Sequence, residues 1–345
     1  MSIGAGKKVL ITGASGFVAA WVVREFLEHG YHVIGTVRSQ DKAEAVRKQH
    51  PEQYADKLDF RIVGDIAEPD AFDEAVKDVD GVIHTASPFV LEVKDNEKDL
   101  LIPALHGTQG VLKSIKKNNP NVKRVVVTSS FAAILDMDKG PRPDHTYSEA
   151  DWNPATYDSA KNNGGSYAYC ASKKIAEKAA FDFVEQEKPN FDVATICPPM
   201  IYGPNSHPVE SMSKLNTSSA DIYRLINGSS KEVPDTAFFA WVDVREVATA
   251  HRLAYEKSEA AGQRYFVTGG PYSYQEICDI VRKHFPEIKD KVPEGKPGSG
   301  NGGVKHYDLD NSKSRKLGVE YRSLEQSMID TTKNLLELEK RTGGK

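Results

Sequence analysis

Tyr169 and Lys173 are the pair whose residue types and spacing most clearly suggest chemistry. They stand four residues apart in an alanine- and lysine-rich run, residues 166–179, which predicts a helix with both side chains on one face. A free phenol has a pKa of ~10, and a nearby ammonium favours the phenolate, so we expect Lys173 to lower the pKa of Tyr169. Such a phenol can donate its proton to an oxygen that gains negative charge. Because Tyr/Lys pairs are common on helices, other residues must support this interpretation.

Two predicted strands end in residues that could join this chemistry. Residues 122–127 predict an apolar strand followed by a hydroxyl cluster with Ser129 and Ser130. Residues 191–196 predict another, which runs into a rigid proline turn at Pro198. In open α/β sheets, ligands lie beyond the carboxyl ends of the strands. The serines are therefore chemical candidates, although serines are also ordinary turn residues.

The element that must position a cofactor lies near the start of the chain. Residues 9–11 predict a buried strand, residues 12–16 a glycine turn, and residues 17–28 a helix. Gly13 permits a tight bend, and Gly16 lets a pyrophosphate approach the backbone. The unpaired N–H groups at the helix start attract a phosphate. A glycine turn can also bind nothing, but this strand–turn–helix context predicts a dinucleotide site.

Arg38 indicates which dinucleotide would bind. It follows the second predicted strand, where an acidic residue would bind the ribose hydroxyls of NAD and a basic one accommodates the 2′-phosphate of NADP. Lys42 is a second cation close by, so the pattern favours NADP, although Arg38 could also be a solvated loop residue. Asp65 and Ile66 end the third predicted strand and could flank an adenine ring. Asp65 could equally cap a following helix.

Two further stretches predict local structure around these candidates. Residues 71–79 predict a helix after the third strand. Residues 136–165 lack a clear periodicity and are rich in Asp, Asn, Gly and Pro, which predicts a surface excursion. Its centre, residues 147–152, could fold over the site.

The bulk composition excludes several classes of protein. The 345 residues can bury a large core, and 39% hydrophobic with 27% charged residues is ordinary for globular proteins. A net charge of −4 argues against a nucleic-acid partner. No apolar run reaches the ~20 residues that span a bilayer, and no apolar signal segment opens the sequence, so we expect no membrane association and a cytoplasmic location. Three scattered cysteines predict neither a disulfide framework nor a metal site.

Six motifs occur in one order along the chain: TGASGFVA, Arg38, HTASP, TSS, YCASK and CPPMIYGP. This set resembles the extended short-chain dehydrogenase/reductases. Within them it is most similar to the fungal and yeast NADPH-dependent carbonyl reductases of the methylglyoxal and isovaleraldehyde type, which are close to plant dihydroflavonol reductase. The motifs YSEADWNP (residues 147–154) and FAWVDVREVATAH (residues 239–251) are specific to this branch. The resemblance covers nearly the whole chain.

The resemblance implies an α/β fold: a Rossmann-like, doubly wound parallel sheet with a smaller C-terminal α+β substrate domain. It assigns residues 1–198 and 239–268 to the NADP-binding domain. Residues 199–238 and 269–345 would then form the substrate-binding domain.

The resemblance also implies the reduction of aldehydes or ketones to alcohols, with hydride coming from the nicotinamide of NADPH. Tyr169 would protonate the carbonyl oxygen, and Ser130, the second serine of TSS, would donate a hydrogen bond to that oxygen. Lys173 would bind the nicotinamide ribose and depress the pKa of the phenol. The implied cofactor contacts are Gly13, Ser15, Gly16, Phe17, Arg38, Lys42, Asp65, Ile66, Thr85, Ala86, Lys173 and Pro198.

Three aromatic residues, Phe89, Phe131 and Tyr202, follow turns that would line the cofactor. They predict the walls of an apolar pocket with little charge, and Trp152 is a weaker candidate. Such a pocket suits a small aldehyde or ketone with hydrophobic arms. We expect that small molecule as the partner, and a monomer or homodimer as the assembly.

Two other functions stay open at the level of sequence. A nucleotide-sugar epimerase or dehydratase would share the fold and the YxxxK motif, but it keeps NAD bound and usually has an acid where Arg38 stands. A catalytically silent NADP-binding regulator would tend to lose Tyr169 or Lys173, and both are present.

Overall fold

A seven-stranded parallel sheet forms the centre of the protein in the computed structural model, which describes residues 6–87 and 93–344. The strands, in chain order, are β1 (Lys8–Thr12), β2 (His32–Val37), β3 (Leu58–Ile62), β4 (Gly81–His84), β5 (Arg124–Thr128), β6 (Thr146–Tyr147), β7 (Asp192–Cys197), β8 (Met200–Tyr202), β9 (Trp241–Asp243), β10 (Arg264–Phe266) and β11 (Asp308–Leu309). The α-helices are α1 (Phe17–Glu28), α2 (Gln40–Arg47), α3 (Ile102–Asn118), α4 (Tyr157–Asn162), α5 (Gly165–Glu187), α6 (Thr217–Ile226), α7 (Val244–Glu256), α8 (Tyr274–His284), α9 (Ser312–Lys316) and α10 (Leu324–Thr342).

The strand order of the large sheet is β10-β7-β5-β4-β1-β2-β3. The chain runs outward from β1 in one direction and from β4 in the other, so the order reverses between these two neighbours. A reversal of this kind opens a crevice at the carboxyl ends of the strands, where ligands of doubly wound folds bind.

Helices cover both faces of this sheet, because its central strands β1, β4 and β5 are buried over most of their length. On one face α1 and α7 pack through residues such as Val22, Val23 and Val247. On the other face α3 and α5 pack through residues such as Leu112 and Ala180. The predicted α/β fold with a doubly wound parallel sheet is therefore confirmed.

A separate apolar cluster lies among α6, α8 and α10, with residues such as Ile222, Ile277 and Met328 at its centre. Two small parallel sheets, β8 with β9 and β6 with β11, connect this part of the chain to the main sheet region. The predicted domain boundaries stay a proposal, and this second cluster supports them. Within the described ranges, no helix combines the length and the apolar content that crossing a membrane requires.

The segment predicted as a helix at residues 71–79 is instead a series of turns. Left-handed residues bracket it, with φ of 58° at Asp70 and 57° at Asp78. The Arg61 guanidinium donates hydrogen bonds to carbonyl oxygens of this segment, including that of Ala75 at 2.6 Å. A side chain from β3 thus satisfies backbone groups that a helix would have paired internally.

Residues 136–165 lie largely at the surface, as predicted, but several side chains anchor the segment to the rest of the fold. Tyr147 is fully buried, and the Asn153 side chain donates to the carbonyl oxygen of Ala132 at 2.9 Å. The Arg264 guanidinium donates to two carbonyl oxygens of the segment, including that of Asp151 at 2.7 Å. Hydrogen bonds with residues outside the segment, together with the short helix α4, hold it in place.

Candidate active site

The glycine turn after β1 lies at the crevice where the strand order reverses. Gly13 has a φ of +69°, a conformation that L side chains rarely adopt. A Cβ atom at Gly13 would lie 3.2 Å from the Cα atom of Ala86, so a side chain here would also press on the end of β4. Both constraints explain why the chain has glycine at this position.

The N-terminus of α1 fits a phosphate group. Its N-cap residue, Gly16, provides no side-chain cap, and the first turn carries no acidic residue. The free N–H groups of the first turn therefore carry their partial positive charge without a competing carboxylate. The predicted contacts Ser15 and Phe17 flank this N-cap, in keeping with a dinucleotide.

Thr12 holds the end of β4 beside this turn. Its hydroxyl oxygen accepts hydrogen bonds from the backbone N–H groups of Thr85 and Ala86, at 3.1 Å and 3.0 Å. The same hydroxyl lies 3.0 Å from Nδ1 of His84, which is buried. Burial lowers the pKa of His84 to about 4, so this imidazole is neutral and has a packing role.

A cavity of about 380 Å³ lies beyond the ends of β2 and β3. Arg38, Asp65 and Ile66, three of the predicted cofactor contacts, line it together. The Asp65 carboxylate accepts from the backbone N–H of Ala67 at 2.9 Å, which makes it the cap of a turn rather than of a helix. An exposed guanidinium beside a cavity at this end of the crevice fits an adenosine with a 2′-phosphate.

Ser130 and Tyr169 line one cavity of about 370 Å³ at the carboxyl end of β5. The Ser130 hydroxyl accepts from the backbone N–H of Ala132 at 3.1 Å, which fixes its side chain in the wall. Tyr169 is 36% exposed, so a ligand in the cavity can reach it. The rest of the wall is largely apolar and includes Val93, Leu100, Phe131, Cys170, Met200 and Phe238.

Lys173 joins the helix α5 to the end of β4. Its ammonium donates to the hydroxyl of Ser87 at 2.8 Å and lies 5.3 Å from the centre of the Tyr169 ring. Burial lowers the pKa of Lys173 to about 8. Tyr169 and Lys173 are therefore neighbours in the structure as well as in the sequence, with the ammonium over the tyrosine ring.

The pKa of Tyr169 is raised in this structure, whereas the pairing with Lys173 predicted a lower value. Burial raises the pKa of Tyr169 to about 12, and the neighbouring Cys170 thiol adds to the rise. Desolvation of the phenolate in the cavity wall is the largest cause of this rise. At neutral pH the phenol therefore keeps its proton, which is the state that a proton donor needs.

Glu177 is a residue of this region that the sequence reasoning did not single out. Its carboxylate is buried and accepts from Ser129 at 2.8 Å and from Thr195 at 2.5 Å. Nε and Nη2 of Arg264 donate to its two oxygens at 2.9 Å and 3.0 Å, and the Cys197 thiol lies 3.3 Å away. One carboxylate thus joins α5 to β7, to β10 and to Ser129 at the end of β5.

A signal for Glu177 was present in the sequence. It stands four residues after Lys173, so the two side chains lie on the same face of α5, one turn apart. An acid on the buried face of a helix needs partners, but those partners come from strands far away in the chain.

The residues predicted to line the substrate pocket lie in different parts of the structure. Phe131 lines the cavity with Tyr169, whereas Phe89 lies outside the described residues. Tyr202 does not line this cavity: it is buried in the second apolar cluster, where its hydroxyl donates to Asp221 at 2.9 Å. Trp152, the weaker candidate, packs under Arg264, whose Cζ atom lies 3.5 Å from the centre of the Trp152 ring. Tyr202 is the last residue of β8 and packs into the second apolar cluster, so its proximity in sequence to Pro198 was misleading.

Comparison with known proteins fits this geometry. The model of the 3-beta hydroxysteroid dehydrogenase/isomerase family matches residues 10–292. The chain belongs to this family. The NADPH-dependent methylglyoxal reductase GRE2 of Saccharomyces cerevisiae is 40% identical over 342 residues, covering 96% of this chain and 99% of GRE2. The ketoreductase azaE of Aspergillus niger is 41% identical over 338 residues, covering 96% and 98% of the two chains.

A solved structure of this family is also similar over the whole fold. The crystal structure of yeast methylglyoxal/isovaleraldehyde reductase Gre2 complexed with NADPH has a TM-score of 0.87 and 39% sequence identity. The match covers 97% of this chain and 99% of that one. The family resemblance predicted from the six ordered motifs is therefore confirmed.

Proposed function

We propose that this protein is an NADPH-dependent carbonyl reductase that converts aldehydes or ketones to alcohols. One observation carries the proposal: Ser130 and Tyr169 line a single apolar cavity, with Lys173 over the tyrosine ring. That cavity lies at the same edge of the sheet as the uncapped N-terminus of α1. The NADPH-dependent reductases among the relatives support the same chemistry and cofactor.

The chain's own residues would bind and polarise the carbonyl group. Ser130 donates a hydrogen bond to the carbonyl oxygen, and Tyr169 transfers its phenolic proton to that oxygen as negative charge develops. Lys173 holds positive charge beside the phenolate that remains until solvent reprotonates it. NADPH, when bound, supplies the hydride that adds to the carbonyl carbon.

The cavity wall indicates the kind of carbonyl compound. Leu100, Phe131, Met200 and Phe238 provide apolar surface, and no Asp, Glu, Lys or Arg side chain belongs to the described part of the wall. A charged substrate would lose hydration without gaining a partner. An uncharged carbonyl compound with a hydrophobic arm therefore fits best.

The direct test follows the absorbance of NADPH with a panel of aldehydes and α-diketones. We expect turnover by the wild type and a rate at least about 100-fold lower for Tyr169→Phe. Equal background rates for both proteins across the whole panel would refute the assignment. The proposal also includes a cytoplasmic location and a monomeric or homodimeric state, which cell fractionation and light scattering would check.

Arg38→Ala should weaken NADPH far more than NADH. The guanidinium is exposed beside the adenosine-sized cavity, where only NADPH carries a phosphate. A charge-assisted hydrogen bond contributes about 1.5–3 kcal/mol, which corresponds to a roughly 10- to 100-fold loss of NADPH affinity. Fluorescence titration with each cofactor measures the two dissociation constants. An equal loss for NADPH and NADH would contradict the role of Arg38.

Phe238→Ala and Tyr202→Phe should separate the cavity wall from the core. Phe238 is 36% exposed at the cavity, so its truncation removes apolar contact with substrate and should raise KM severalfold with little loss of stability.

Tyr202→Phe removes a buried hydroxyl bonded to Asp221 and Tyr272, and should lower the free energy of unfolding by about 1–3 kcal/mol without changing KM. Steady-state kinetics and urea unfolding of both variants check this pattern, and the reverse pattern would place Tyr202 in the pocket.

A further inference from the structure

A segment between Tyr202 and Met212, two residues of the second apolar cluster, packs against α1. We call residues 203–211 the strap. The indole N–H of Trp21 in α1 donates to the carbonyl oxygen of Pro204 in the strap at 2.7 Å. The ring of His207 packs edge-on against Phe17, the first residue of α1, with ring centres 5.8 Å apart. The strap therefore lies against the helix whose N-terminus fits the cofactor phosphates.

The strap reaches the start of α2 through an ion pair. Oε1 of Glu210 lies 3.2 Å from Nζ of Lys42, and its second oxygen lies 3.0 Å from Nζ of Lys214. Hydrogen bonds from Lys214 and Lys42 lower the pKa of Glu210, so its carboxylate is ionised at neutral pH. Lys42 is also one of the two cations predicted for the 2′-phosphate. The Glu210 carboxylate thus forms an ion pair with Lys42, which is a predicted contact of the NADPH 2′-phosphate.

We propose that Glu210 is a specificity-determining residue that competes with the 2′-phosphate of NADPH for Lys42. The inference rests on the proposed function, since it takes Lys42 as a contact of that phosphate. NADPH binding would bring the 2′-phosphate to an ammonium whose charge Glu210 already pairs, and would place two anions close together. NADH has no 2′-phosphate and leaves the ion pair intact. Glu210 therefore lowers the affinity for NADPH and not for NADH. It reduces the preference for NADPH over NADH that Arg38 creates.

The size of the effect follows from the exposure of the pair. The side chains of Lys42 and Glu210 are 49% and 57% exposed, and exposed ion pairs are weak and screened by salt. Removing the competing carboxylate should therefore tighten NADPH binding about two- to fivefold at low ionic strength. The gain should shrink as salt is added.

The test is a fluorescence titration of Glu210→Gln with NADPH and with NADH. We expect a two- to fivefold lower Kd for NADPH and an unchanged Kd for NADH. Glu187→Gln is the matched control: it removes the same charge from an exposed pair, with Lys116 at 2.6 Å, at the end of α5, and should change neither Kd. In a Lys42→Met background, Glu210→Gln should have no effect, because the shared cation is gone.

Each outcome decides between the two proposals. An unchanged or weaker NADPH affinity of Glu210→Gln overturns the role of Glu210 and leaves the reductase proposal standing. An equal gain for NADPH and NADH also overturns it, because the effect would not involve the 2′-phosphate. If the wild type binds no NADPH at any salt concentration, the proposed function fails, and this inference fails with it.

Discussion

Tyr169→Phe should lower kcat by about 10²- to 10⁴-fold, the contribution that a positioned proton donor makes. The substitution removes one hydroxyl from the wall of the cavity and leaves the ring, its packing and the Lys173 ammonium above it in place. The carbonyl oxygen would then develop negative charge with only Ser130 to stabilise it. Steady-state kinetics with a carbonyl substrate measures the loss.

NADPH affinity separates a chemical effect from a structural one. The phenol is a group of the cavity wall, so the Kd of Tyr169→Phe for NADPH should stay within about threefold of wild type, roughly 0.6 kcal/mol. Tyr167→Phe is the matched control on the same helix. Its hydroxyl lies 3.2 Å from the Ser159 hydroxyl, and its loss should leave kcat unchanged. A Tyr169→Phe variant with at least a tenth of the wild-type kcat would remove the phenol from the mechanism.

Glu177→Gln should lower the free energy of unfolding by about 3 kcal/mol or more. The Glu177 and Arg264 side chains are 0% and 8% exposed, so the substitution leaves a buried guanidinium without its countercharge. The amide has nearly the size of the carboxylate, so the loss reflects charge rather than a cavity. Urea unfolding, with the slope compared between proteins, measures the change in free energy.

Two further variants distinguish this network from ordinary ion pairs. Asp182→Asn breaks an exposed pair with Lys178 on the same helix and should cost about 0.5 kcal/mol at most. Replacing both partners, with Glu177→Gln and Arg264→Met together, removes the unpaired charge and should recover part of the stability. If Glu177→Gln is as stable as Asp182→Asn, the buried carboxylate does not hold the strand ends together.

Local spacing was sufficient to predict the elements that we propose bind the cofactor. The strand, glycine turn and helix that begin at Lys8 form where the apolar pattern and Gly13 predict them, because each step depends on neighbours in sequence. Arg38 stands at the end of β2 for the same reason. The family followed from several such local motifs in one order, and the sequence comparisons confirm it.

Local spacing failed where distant side chains decide the structure. Residues 71–79 have the composition of a helix, but Arg61 from β3 binds their carbonyl oxygens and the segment forms turns. Tyr202 is close in sequence to a cofactor turn, yet it packs into the second apolar cluster. In both cases a partner outside the local window satisfies the polar or apolar group.

The sequence by itself determined the fold class, the family and the pairing of Tyr169 with Lys173, since helical and strand periodicities are properties of neighbouring residues. Only the tertiary structure decided the proton affinity of that phenol, because burial rather than the adjacent ammonium sets its pKa. It also brought Glu177 to Arg264, 87 residues away in the chain, and Glu210 to Lys42. Desolvation and long-range pairing depend on which surfaces meet, and residue spacing does not specify that.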